Sequence, residues 1–191
     1  MTIIKGTTEL SPFAVEVRGL SEGDGRTMTA LLVPYGEVSM TTEHRGGERF
    51  MRGAFRHSIK LANTAKRPMR LFRSHDHDRP IGTALELRDT EAGPLGTFRI
   101  ADTTHGRQAL EELREGLLPQ VSVGFRTLKD KMTDGVRDVV EAALAEVSLT
   151  PLGAYDGAEV LSLREPVRDL SWVTLPPMPE VDPSRPIGLW R

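Results

Sequence analysis

Val136-Arg-Asp-Val-Val-Glu-Ala-Ala-Leu-Ala-Glu-Val-Ser-Leu-Thr150 can be read in two ways, and the fold turns on the choice. Val136, Val139, Val140, Ala143, Leu144 and Val147 recur at helical spacing, and the alanine-rich centre over 138–145 favours a helix by propensity. Glu146-Val-Ser-Leu-Thr150 instead alternates like a strand and stops at Pro151. A helix here would leave a mixed chain. A strand would make the chain mainly β.

The neighbouring segments lean towards strands. Val121 to Leu128 alternates, with Val121, Val123 and Phe125 on one face and Ser122 and Gly124 on the other. Thr104 can cap a helix over 105–115, which carries Ala109, Leu110 and Leu113 on one side and ends at Gly116. Ile81–Leu87 and Gly96–Ala101 read as strands joined by the loop 89–94. Met69–Arg73 is a short strand leading into Ser74-His-Asp-His-Asp78. Residues 53–62 place Phe55, Ile59 and Ala62 at helical spacing. Phe13–Arg18 and Met28–Val33 read as strands, the second halted by Pro34-Tyr35-Gly36.

Composition sets the outer bounds. The 191 residues suit one domain with an appendage, too short for a (β/α)8 barrel of about 250 residues. Hydrophobic residues make up 38% and charged residues 27%, as in ordinary globular proteins. The 18 glycines and 13 prolines favour short strands and many turns. A formal charge of -2 makes the whole molecule no magnet for nucleic acid or anionic lipid. With no cysteine, disulfides, thiolate metal sites and cysteine nucleophiles are excluded together. The first ten residues lack the apolar core of a signal peptide, and no apolar run approaches the roughly 20 residues of a membrane span, so the expected compartment is the cytoplasm. Six prolines fall within 166–191, marking a linker-like tail. Between Glu43 and Arg79 ten Lys and Arg stand against four Asp and Glu, either a solvated basic face or a surface for an acidic partner.

Chemistry concentrates at His75-Asp-His-Asp78. It could be an exposed polar turn. It could be a metal site, with His75 and His77 on one side of a strand and Asp76 between them, although Arg79 breaks the H-x-H-x-D-H pattern. It could instead supply a general base to a hydroxyl nucleophile, which is weak until a base takes its proton. Ser122 is the candidate nucleophile, with Gly124 two residues on removing a side chain that would cover it. Glu146 could orient the imidazole, as the acidic third member of a triad does.

Together these segments resemble the tailed-phage prohead (capsid maturation) serine proteases. The resemblance is carried by Val33-Pro-Tyr-Gly36, Phe50-Met-Arg-Gly-Ala-Phe55, Leu71-Phe-Arg-Ser-His-Asp76, Pro80-Ile-Gly82, Val121-Ser-Val-Gly-Phe125 and Leu144-Ala-Glu-Val-Ser-Leu-Thr-Pro151. It implies catalytic His75 and Ser122, with Glu146 as candidate third member and His77 in a variable position. It implies a fold similar to the herpesvirus assemblin proteases: mainly β with packed helices (α+β), a compact antiparallel β-barrel, with 136–150 largely strand. The implied organisation is an N-terminal arm over 1–12, a protease domain over 13–165 and a proline-rich tail over 166–191. The implied reaction is peptide hydrolysis through an acyl-enzyme, without metal or other cofactor. The implied substrates are a scaffold, or the scaffolding region of the major capsid protein, and the protease itself, inside the procapsid in the host cytoplasm. A homodimer is the implied assembly, with no membrane or specific nucleic-acid partner. A packaging signal or self-cleavage site would suit the tail. An inactive scaffolding protein of the same fold and a metal-dependent hydrolase remain the competing readings.

Overall fold

The computed structural model describes residues 24–39, 46–66 and 68–164. The expected strand at 13–18, the N-terminal arm and the proline-rich tail lie outside the described residues. Within them the chain is mainly β, with two helices: β1 (Thr27–Leu31), β2 (Glu48–Phe50), α1 (Arg56–Thr64), β3 (Arg70–Arg73), β4 (Asp76–Asp89), β5 (Pro94–Ile100), α2 (Thr104–Arg114), β6 (Gln120–Thr133), β7 (Val136–Thr150) and β8 (Val160–Leu163).

The disputed stretch is strand β7 over its whole length. It pairs antiparallel with β6 from Thr133↔Val136 to Gln120↔Thr150, so helical propensity is overruled by tertiary pairing. The turn between them is Asp134-Gly135, with φ of 52° and 83°. Positive φ at both central residues is the geometry that twists a two-residue hairpin correctly, and Asp-Gly suits it.

The other edge of β7 is shared. β2 pairs parallel with residues 137–139 and β3 pairs parallel with residues 147–149. Between them the entry to α1 fills the gap. Ala142 N–H donates to the Ala54 carbonyl at 2.9 Å, and Leu144 N–H donates to Ser58 Oγ at 2.8 Å. A buried strand edge needs such acceptors wherever no strand supplies them.

The sheet runs β2-β7-β3-β4-β5-β1-β8, with β6 branching from β7. The antiparallel barrel implied by the resemblance is met in part. Two of the strand pairings are parallel, because β2 and β3 both reach β7 from the same direction. The sheet also does not close as a ladder. Among the described residues, β6 meets the approach to β8 at the bridge Gln120↔Glu159 and through Val121 N–H to the Ala158 carbonyl and Val160 N–H to the Pro119 carbonyl.

The core lies inside this curved sheet. Phe50, Phe55, Phe98, Leu71, Ile81, Val121 and Leu149 are almost wholly buried. Phe50 packs on Phe55 and edge-on to Phe125, with ring centroids 4.8 Å apart in both pairs. The helix expected over 105–115 is α2, but its cap is Thr103 and not Thr104: the Thr103 side chain accepts from Gly106 N–H. Gly106 lets α2 approach the sheet, since a Cβ there would stand 2.1 Å from the Ala101 carbonyl oxygen. Arg73 then forks onto Glu112 with two hydrogen bonds of 2.9 and 3.0 Å, tying α2 to the end of β3.

Among the described residues, no helix is long and apolar enough to cross a membrane. Five of the ten basic residues of that segment are paired within the protein. Arg49, Arg52, Arg56, Arg73 and Arg79 contact Asp138, Glu91, Asp89, Glu112 and Asp76 respectively. This favours the solvated-face reading of that charge.

Candidate active site

His75 lies in the two-residue turn between β3 and β4. Ser74 and His75 have φ of 49° and 60°, and neither is glycine. Positive φ at both central residues is again the two-residue hairpin geometry, closed here by Arg73↔Asp76, but without a glycine the surroundings must support it. Two hydrogen bonds do so. Ser74 N–H donates to the Leu149 carbonyl at 2.8 Å, and His75 N–H donates to Ser148 Oγ at 3.1 Å. Both acceptors belong to β7, so the parallel β3–β7 pairing carries the turn to its place.

The His75 ring meets Glu146, with Nδ1 and Oε1 2.5 Å apart. The carboxylate is nearly buried, whereas the ring is about half exposed. Facing an ionised carboxylate, which only accepts, a neutral His75 ring would carry its proton on Nδ1 and leave Nε2 as the acceptor that a general base requires. The second carboxylate oxygen, Oε2, accepts from Ser148 Oγ at 2.9 Å.

Ser122 and Gly124 face this group from β6. Ser122 is in register with Ser148, and Gly124 with Glu146. Directly opposite residues of an antiparallel pair share a face, so all four stand on one side of β6–β7. Ser122 is half-buried, whereas Ser148 is fully buried. The sequence reading gave Gly124 the task of leaving Ser122 uncovered. Its space is in fact taken by Glu146: a Cβ at 124 would lie 2.6 Å from Glu146 Cγ and 2.7 Å from Oε1. Gly124→Ala should displace the carboxylate from the His75 ring and lower the rate of any reaction that depends on their contact by about 100-fold, the scale of a misplacement of about 1 Å. A rate assay alongside circular dichroism checks this; a folded variant of unchanged rate would refute it.

The structure thus puts His75 and Glu146 in direct contact and sets Ser122 on the adjacent strand of the same face. Ser148 was missed by sequence reasoning, since a serine in an alternating strand carries no signal of its own. His77 stands apart, its ring 4.9 Å from that of Phe72. The expectation that His75 and His77 point the same way along a strand fails because His75 is in the turn. Among the described residues no three His, Asp or Glu side chains are grouped to hold a metal ion.

The family model of the caudovirus prohead serine proteases matches residues 13–169. The chain belongs to the caudovirus prohead serine protease family. The prohead protease of Escherichia phage T5 is 32% identical over 117 residues, covering 60% of this chain and 54% of the T5 protein. The match thus spans about half the length of that relative. The protease of Kaposi's sarcoma herpesvirus, solved with a hexapeptide phosphonate inhibitor, is 17% identical with a TM-score of 0.47, covering 71% of this chain and 64% of the other. The capsid assembly protease of bacteriophage T4 is 13% identical with a TM-score of 0.42, covering 65% and 96% respectively. The family match includes β3, β6 and β7, and so every residue of the constellation in this prohead protease family member.

Proposed function

We propose that this chain is a serine endopeptidase of procapsid maturation. Ser122 attacks the scissile carbonyl, His75 Nε2 takes the Ser122 proton and returns it to the leaving amine, and Glu146 orients His75 and steadies its charged form. The observation that carries the reading is the 2.5 Å contact between His75 Nδ1 and Glu146 in a turn held at positive φ, in a member of this family. The substrates are a scaffold, or the scaffolding region of the major capsid protein, and the protease itself. The reaction takes place inside the assembling procapsid in the host cell, and the assembly is a homodimer. The near-meeting of β8 with β6 supports a barrel-like seam as the frame of the site.

A serine-directed phosphonate tests the nucleophile directly. Labelling at Ser122, located by peptide mass spectrometry, is the expected result. Absence of labelling in a folded protein would favour an inactive scaffold. Chelation should leave the cleavage rate unchanged, whereas a metal hydrolase at His75, Asp76 and His77 would lose it. Glu146→Gln should slow cleavage of the capsid protein by about 10⁴-fold, against about 10⁶-fold for loss of the nucleophile.

A further inference from the structure

We propose that Ser148 is a positioning residue of this site, whose hydroxyl joins the Glu146 carboxylate to the backbone of the His75 turn so that base and orienting acid are held as one unit. This rests on the assignment of Ser122, His75 and Glu146 made above. A serine hydroxyl has one proton to give and lone pairs to accept with. Here both capacities are used on the same machinery. The proton goes to Glu146 Oε2 at 2.9 Å, and the oxygen accepts from His75 N–H at 3.1 Å. Ser148 is wholly buried, so bulk water does not compete for either bond.

Each bond has a separate consequence. The terminal torsion of a glutamate is broad, so a single hydrogen bond leaves the carboxylate plane loosely set. With Oε1 on the His75 ring and Oε2 on Ser148, the plane is fixed from two directions. The second bond acts on the backbone. His75 sits at φ 60°, a conformation that its neighbours must hold in place. The Ser74 bond to Leu149 anchors the turn to β7, but the Ser148 bond anchors the base's own N–H. Ring and backbone of His75 are thereby referred to one strand, two residues apart.

The same geometry excludes Ser148 as a rival nucleophile. It is closed off from substrate and its proton is committed to Glu146. Two serines stand opposite each other on β6 and β7, and burial divides their work.

The test is a kinetic comparison in full-length protein, with cleavage of the capsid protein as the readout. Ser148→Ala, shown folded by circular dichroism, should lose about 10- to 100-fold in kcat, the usual scale for a hydrogen bond to a charged group, with KM within about twofold. The loss should largely vanish in a Glu146→Ala background, because groups that act as a unit are not additive. A merely structural serine would lower the melting temperature and leave kcat per folded molecule unchanged, or would cost the same in both backgrounds. Ser148→Cys, close in volume and a weaker donor, should show a smaller loss in kcat and serves where the alanine variant does not fold. Wild-type kcat in either folded variant, or equal losses in both backgrounds, overturns the proposal. Retained cleavage in Ser122→Ala would instead overturn the assignment beneath it.

Discussion

Ser122→Ala should give a folded protein that no longer processes capsid protein, with kcat reduced on the order of 10⁶-fold. The reasoning has two parts. Chemically, no acyl-enzyme forms without the hydroxyl, and a neighbouring serine cannot replace it. Ser148 is the nearest by register, but it is buried and its proton is held by Glu146. Structurally, the change removes one oxygen from a half-buried position outside the hydrogen-bonded network of His75, Glu146 and Ser148. Substitutions of that kind usually alter stability by less than about 0.5 kcal/mol. Co-expression with the cognate capsid protein, with wild type and variant compared by gel, reads the outcome. Processing by a purified, folded Ser122→Ala protein would end the serine mechanism.

His75→Ala should be equally inactive but should differ in stability. Nucleophile and base act as a unit, so removing either costs about the same, and the double variant should be no slower than each alone. The turn keeps both of its backbone anchors, to Leu149 and Ser148. The nearly buried Glu146, however, loses the partner of Oε1. A desolvated acceptor left unpaired costs about 1–3 kcal/mol. For a domain of this size that is a fall in melting temperature of about 2–4 °C per kcal/mol. A calorimetric scan of wild type, Ser122→Ala and His75→Ala checks it. The serine variant should melt with wild type and the histidine variant below it. Activity retained in His75→Ala would show that the base is elsewhere.

Much of this was legible in the residues, but unevenly. The strands over 81–87, 96–101 and 121–128 were apparent from their apolar residues and the turns between them, although a bulge at Ala84/Glu86 leaves Leu85 exposed. Residues 136–150 were ambiguous because Ala142, Ala143, Leu144 and Ala145 favour a helix locally. Their strand state is imposed by partners far away in sequence: β2, β3 and the carbonyl of Ala54. One local signal could have decided it, the Asp134-Gly135 pair, which fits a two-residue hairpin turn. At the site, His75 and Glu146 were named from their wording in the chain, and the fold brings them into contact. Ser122 was named in the same way and shares their sheet face. The positive φ at Ser74 and His75 could not be read, since serine does not announce it and the enrichment of histidine there is slight against its other uses. The placement of Glu146 over Gly124 was hidden too, because it depends on the β6–β7 register.

The split edge of β7 also bears on the order in which the protein becomes competent. His75 and Glu146 are 71 residues apart, and the ion pairs joining β2 to β7 span 89. Contacts of such span form late, after the loop between them has been closed. A nascent chain emerging from the ribosome through β6 already carries the proposed nucleophile, Ser122, and the proposed base, His75. It has no carboxylate to set the imidazole and no strand to hold the His75 turn in shape. The last long strand is therefore the step that completes the proposed site. A polypeptide cut short before it contains two of the three residues of the proposed triad, and lacks the strand that supplies Glu146 and anchors the His75 turn.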